Sequence, residues 1–135
     1  MRHRKSGKKL GRNPAHRMAT FRNLVKSLVI HERIRTTEAK GKAIRKWADK
    51  LVRYALENTV HARRKAYKIL EDRKLVKKLF DEIGPRFKGV PGGFTRVVKL
   101  SEWRKGDGAR MVLVEFSRYG QETTPQEEAK AETSS

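Results

Sequence analysis

The sequence predicts an α+β fold, a compact domain of about four helices with a small mixed or antiparallel sheet. Three observations indicate this class. Apolar residues recur at three- and four-residue spacing through the first two thirds of the chain, which is typical of amphipathic helices. Valine-rich segments follow a Gly- and Pro-rich loop, as in strands. The opening residues, MRHRKSGKKLGRNPAHR, are rich in basic and poor in apolar side chains, so they predict an extension outside the core.

The first helix is predicted over residues 16–31, where Phe21, Leu24 and Leu28 belong to one apolar stripe. Asn13 followed by Pro14 is typical of a helix start, because Asn caps the free N–H groups and Pro fits the first turn. Residues 30–36, IHERIRT, are short and alternating. They predict a brief edge strand.

Three more helices are predicted before the loop. The second begins at residues 36–37, and Glu38 is favourable near the positive end of its dipole. A third covers about residues 58–70, and Asp72 caps a fourth, which Gly84-Pro85 ends.

The sheet is predicted from two strands at residues 95–100 and 110–116, joined by a turn at residues 104–108. Side chains on a strand point alternately to its two faces. The face that should enter the core therefore carries Val112, Val114 and Phe116. The preceding loop, residues 86–94, is basic, and we expect its rings, Phe87 and Phe94, to anchor it to the core.

The chain therefore divides into three parts. Residues 1–15 form a basic N-terminal arm, residues 16–119 a globular α+β domain, and residues 120–135 an acidic tail. The tail consists largely of Gln, Glu, Thr, Ser and Ala, which predicts disorder.

The charge is the main indication of function. The chain carries 34 Lys or Arg against 15 Asp or Glu, a net charge of +19. Residues 1–53 hold +14 of it, whereas residues 121–135 carry −3. Such a surplus repels itself in a compact state, so a polyanion is the expected partner. Nucleic acid fits best, a membrane surface is the main rival, and a plain solvated arm is the third possibility.

Basic clusters supply the candidate contacts. Glycines at 7 and 11 let the arm bend closely against a partner. One side of the second helix, a pair of arginines in the third and the basic loop add further cations, although solvated charged faces are common. The candidate RNA-binding residues are Arg2, His3, Arg4, Lys5, Lys8, Lys9, Arg12, His16, Arg17, Arg22, Lys42, Lys46, Arg63, Arg64, Arg86, Lys88 and Arg96.

Catalytic chemistry has little support in the sequence. The chain has no Cys, which fits a reducing compartment. The four His are far apart and match no metal-ligand spacing. No stretch approaches the ~20 apolar residues of a membrane helix, and no apolar stretch follows the charged N-terminus. We expect a cytoplasmic protein that is not an enzyme and has no cofactor, metal site or membrane partner.

Several segments, taken together and in order, resemble one family. The words MRHRKSGKKLGRNPAHR, FRNLVKSLVIHERIRTTEAKGKAIR, KLVKKLFDEIGPRFK, GGFTRVVKL and RKGDGARMVLVEF are similar to the bacterial large-subunit ribosomal protein seventeen family over about residues 1–117. The resemblance implies a compact α+β domain with a basic extension that runs into RNA.

The resemblance also implies a role. Members of this family are structural proteins of the large (50S) subunit, and the resemblance implies that this chain also binds 23S ribosomal RNA near the peptide exit tunnel, beside other ribosomal proteins. On this view the chain has no small-molecule substrate and is not an independent homo-oligomer. The arm, His16-Arg17 and Arg22 resemble the RNA-contacting start. A free nucleoid-type protein that coats DNA or RNA remains the alternative.

Overall fold

A computed structural model describes Leu10 and residues 12–118, which contain four α-helices and a three-stranded antiparallel sheet. The elements in chain order are α1 (Pro14–His31), β1 (Arg33–Thr37), α2 (Glu38–Glu57), α3 (Val60–Leu70), α4 (Arg73–Lys78), β2 (Thr95–Trp103) and β3 (Arg110–Phe116). The α+β class is confirmed, and the sheet is antiparallel rather than mixed. Most of the predicted arm and the predicted disordered tail lie outside the described residues.

Local side-chain caps start three of the helices. Asn13 and Thr59 each accept a hydrogen bond from the backbone N–H three residues later, at 2.8 and 3.1 Å. Asp72 accepts one from the N–H two residues later, at 2.8 Å. These bonds satisfy donors that a helix leaves unpaired at its first turn. The predicted starts of α1, α3 and α4 are confirmed.

Residues with a left-handed backbone end the first three helices. Glu32, Asn58 and Glu71 have φ angles of 63°, 49° and 56°. Each N–H still donates to the carbonyl four residues earlier, after which the chain changes direction. The predicted strand at residues 30–36 therefore began too early, because α1 continues to His31 and Glu32 turns the chain into β1. Strand β1 does lie at an edge of the sheet, as predicted.

The segment after α4 differs from the prediction. The regular α-helix ends at Lys78 and continues as a π-helical turn (Leu79–Ile83) and a 3₁₀ turn (Gly84–Phe87), so Gly84-Pro85 does not end it. Gly84 donates its N–H to the carbonyl of Leu79, and a Cβ on Gly84 would lie 2.7 Å from that of Ala55 on α2. This close approach holds the turning chain against α2.

Helix α2 is central to the core. It packs against α1, α3 and all three strands, and Ile44, Ala48, Leu51 and Val52 on it are buried. The sheet contributes the predicted face, since the alternating residues Val112, Val114 and Phe116 are fully or almost fully buried. Gly41 permits close packing here, because a Cβ at this position would lie 2.6 Å from Val112 Cγ2.

The two rings of the basic loop are anchors, as predicted. Phe87 and Phe94 are buried and meet edge to face, with their centroids 5.4 Å apart. Neither ring is available to a ligand.

Replacing Gly41 by Ala tests the close packing of α2 on the sheet. Helix propensity alone predicts stabilisation by roughly 0.5–1 kcal/mol. We expect destabilisation by about 2 kcal/mol instead, because the added methyl group overpacks a rigid, buried Val112. Urea unfolding measures the difference. Gly92→Ala is the matched control, since a Cβ added there would have no atom within 4 Å. A G41A protein as stable as G92A would contradict the packing described.

Candidate nucleic-acid interface

The candidate residues of the far N-terminus lie outside the described part of the chain. These are Arg2, His3, Arg4, Lys5, Lys8 and Lys9. The remaining candidates fall on different elements of the fold, and each can be located.

The arm joins the domain through a short chain of hydrogen bonds. Arg12 Nη1 donates to Thr20 Oγ1 at 2.9 Å, and the Thr20 hydroxyl donates to the His16 carbonyl at 2.9 Å. His16 is exposed and Arg17 is half-buried. The guanidinium of Arg12 is therefore held against the first turns of α1.

Arg22 lies where α1 meets the end of α3. It shares the carboxylate of Glu71 with Lys26, at 3.2 and 3.6 Å. All three side chains keep part of their surface in solvent. Two cations and one carboxylate leave this cluster with a net positive charge.

The two lysines predicted on the basic side of α2 have different surroundings. Lys42 pairs with Glu38 at 2.8 Å, and Lys99 of β2 approaches the same carboxylate at 3.7 Å. The hydrogen bond from Lys42 lowers the pKa of Glu38. Lys46 is exposed and forms no ion pair with any described residue.

The two arginines of α3 have different environments. Arg63 lies over the Phe80 ring at 4.6 Å and contacts Asn58 Oδ1 at 3.2 Å and Asp81 at 3.7 Å. These contacts of Arg63 connect α3 to the turn that follows α4. Arg64 is exposed and borders a groove of about 780 Å³ between α3 and α4.

Arg86 has a structural role rather than the predicted surface role. Its side chain is 12% exposed and pairs at 2.9 Å with Glu32, which is 13% exposed. The pair ties the 3₁₀ turn to the residue that ends α1, so we leave Arg86 out of the candidate interface. Lys88 follows and is exposed.

The outer face of the sheet holds an arrangement that the sequence analysis missed. Glu115 on the central strand pairs in register with Arg33 on one side and Arg96 on the other, and both arginines contact its carboxylate. Oε2 lies 2.8 Å from Arg33 in an ionic contact outside hydrogen-bond geometry. Glu115 is buried between two largely exposed guanidinium groups.

The spacing of the arginines in β1 could have predicted this basic outer face of the sheet. Arg33 and Arg35 are two apart on one strand, so they share a face, and Arg35 pairs with Glu102. The partners come from distant segments, and only the strand register brings them together. Arg96 was predicted, whereas Arg33 and Arg35 were not.

The described residues offer little else for chemistry. They contain no group of three or more His, Cys, Asp or Glu that could hold a metal ion. None of their helices is both long enough and apolar enough to cross a membrane.

The fold and its surface define the class as a small, basic α+β protein with cations on several faces. The chain belongs to the ribosomal protein L17 family, whose model matches residues 20–117. The resemblance found in the sequence is confirmed. As a member of this family the chain is a structural ribosomal protein of the cytoplasm and not an enzyme.

Similar proteins cover nearly the whole chain. The large ribosomal subunit protein bL17 of Nitratidesulfovibrio vulgaris Hildenborough is 58% identical over 87% of this chain and 89% of its own length. The bL17 protein of Maridesulfovibrio salexigens is 53% identical over 98% and 93%. That of Thermus thermophilus is 53% identical over 86% and 98%.

Replacing Arg86 by Met tests its structural role. The variant keeps an apolar stem but leaves Glu32 uncompensated, so we expect the free energy of unfolding to fall by about 3 kcal/mol. Arg22→Met removes a more exposed pair and should cost less than about 1 kcal/mol. Chemical denaturation compares the two. Wild-type stability of R86M, combined with weaker RNA binding, would return Arg86 to the interface.

Proposed function

We propose that this chain is a structural protein of the large ribosomal subunit that binds and stabilises 23S ribosomal RNA. Family membership supports the ribosomal role, and the similar proteins are named for the large subunit. The family resemblance also favours a position near the peptide exit tunnel, beside other large-subunit proteins. No substrate or cofactor is required.

RNA binding is supported by exposed basic side chains that have no acidic partner among the described residues. Within the described residues, several exposed basic side chains of α2, α3 and α4 form no ion pair: Lys46, Arg64, Lys68, Arg73 and Lys77. Such cations bind phosphates by releasing counterions. The net charge of +19 makes a polyanion the appropriate partner for the whole chain.

The mechanism combines a fixed surface with an arm that orders on binding. The hydrogen bond from Arg12 to Thr20 holds this part of the arm against the first turns of α1. Phosphates then neutralise the basic arm, which has too few apolar residues to fold alone. Most contacts go to the RNA backbone and position the protein, while the shape of the RNA supplies specificity.

Binding of the whole chain to deproteinised 23S RNA should depend steeply on salt. We expect the logarithm of the affinity to fall linearly with the logarithm of KCl concentration, with a slope equivalent to several phosphates. Filter binding or fluorescence anisotropy measures it. A flat dependence would contradict charge neutralisation. Duplex DNA that competes as well as the RNA at equal phosphate concentration would favour the nucleoid-type alternative.

Deleting residues 1–12 tests the arm in cells. The Asn13 cap remains and only the part-exposed Arg12–Thr20 hydrogen bond is lost, so we expect the same circular dichroism spectrum and a melting temperature within a few degrees of wild type. Incorporation into large subunits should fail or slow, which sucrose-gradient fractionation after a high-salt wash measures. Deletion of residues 120–135 is the control, because the Thermus protein matches over 98% of its length in only 116 residues.

Normal incorporation of the arm-deleted chain would show that the folded surface suffices. Wild-type protein found mainly on the nucleoid, rather than stoichiometric with large subunits, would contradict the ribosomal assignment of this chain.

A further inference from the structure

The groove between α3 and α4 is lined by one face of each helix. On α3 the lining residues are spaced three and four apart, at Val60, Arg63, Arg64, Tyr67 and Lys68. This spacing places them on one side of the helix. Residues of α4 and the following turn form the other wall: Arg73, Val76, Lys77 and Asp81. The groove is open to solvent, and its volume of about 780 Å³ lies within the range of sites for small organic groups.

The floor of the groove is apolar and contains an exposed ring. Tyr67 is 45% exposed, and Val60 is 66% exposed although valine is among the residue types most often buried. Val76 is buried beneath them. Tyr67 does not belong to the core cluster, so its ring offers a face to a ligand.

The rim of the groove is positively charged. Arg63 is paired with Asp81, the one acidic residue among those that line the groove. The side chains of the other four basic lining residues form no ion pair or hydrogen bond with a described residue: Arg64, Lys68, Arg73 and Lys77. An apolar floor with an aromatic ring and four uncompensated cations requires a partner that is both flat and anionic.

We propose that this groove binds an unpaired segment of ribosomal RNA, with a base stacked on Tyr67 and its phosphates against the four cations. Unpaired bases stack on aromatic rings irrespective of sequence, and nearby cations follow the backbone. An RNA duplex can supply the phosphates, but its bases stay within the helix. The inference deepens the proposed function and depends on it.

Other aromatic residues fit this role less well. Phe87 and Phe94 of the basic loop are buried and cannot stack on a base. Trp103 is more exposed than Tyr67. However, the guanidinium of Arg110 lies over its ring at 5.7 Å, and Trp103 does not line the α3–α4 groove.

The stacking and the charge contributions can be separated by their response to salt. Loss of a phosphate contact reduces the slope of log affinity against log salt by about one, whereas loss of a stacked ring lowers affinity without changing that slope. The experiment uses the full chain with two fluorescein-labelled probes, a 12-nucleotide oligouridine and an RNA duplex of the same length. Anisotropy is recorded over a series of KCl concentrations.

Tyr67→Leu should bind oligouridine about 10-fold more weakly than wild type, with the same salt slope, because one stacked base is lost. Its binding to the duplex should not change. Tyr67→Phe keeps the ring and should remain within about 2-fold of wild type. Arg64→Gln should reduce the salt slope for oligouridine by about one. Melting curves confirm that each variant folds.

Wild-type affinity of Y67L for oligouridine would overturn the inference, as would an equal loss for both probes. A loss seen with Trp103→Leu but not with Y67L would move the stacking site to the hairpin and overturn it too. Tyr67-dependent binding of an oligoglutamate peptide, without an effect on RNA, would show that the groove takes an acidic protein segment. A wild-type chain that binds deproteinised 23S RNA but not oligouridine would overturn this inference alone, whereas a chain that binds neither would overturn the proposed function as well.

Discussion

The close packing of α2 on the sheet at Gly41 is the contact on which the rest of the structure depends. The chain has a net charge of +19, and like charges on its surface oppose a compact state. Burial of apolar side chains must offset that repulsion. Helix α2 joins the two halves of the core, since it contacts α1, α3 and every strand. Helix α2 therefore holds each described basic face in place, either directly or through one neighbouring element.

Acidic residues position the cations more than they neutralise them. Glu38, Glu71 and Glu115 each contact two basic side chains. The cations of a pair come from different elements or from successive turns of one helix, so each glutamate reduces repulsion where they meet. Each cluster keeps one positive charge in excess. The groove between α3 and α4 differs, because its rim has four cations and no such carboxylate to hold them.

The sequence predicted those parts of the fold that local interactions determine. Asn13, Thr59 and Asp72 cap helices as expected, because a cap needs only a backbone N–H two or three residues away. Because side chains alternate between the two faces of a strand, the sequence also predicted correctly which face of β3 is buried. The π-helical turn before Gly84 had no such signal, since it depends on the approach of Ala55 from another helix.

The same distinction applies to the candidate site. Arg86 lies in a basic loop, and nothing near it in sequence indicates that Glu32, far away in the chain, buries and pairs it. Arg33 was missed because its partner Glu115 is brought to it only by strand register. Tyr67 was missed because the spacing of apolar residues predicts which side of α3 faces the core. It does not predict that the neighbouring side of α3 faces an open groove beside α4.

On the function proposed above, the folded domain binds RNA phosphates through cations that form no ion pair with any described residue. A density map of the large ribosomal subunit containing this chain tests it most directly. We expect RNA phosphate oxygens within about 3 Å of the side-chain nitrogens of Arg64, Lys68 and Lys46. A map in which these three side chains face bulk solvent, or lie only against other proteins, would contradict it.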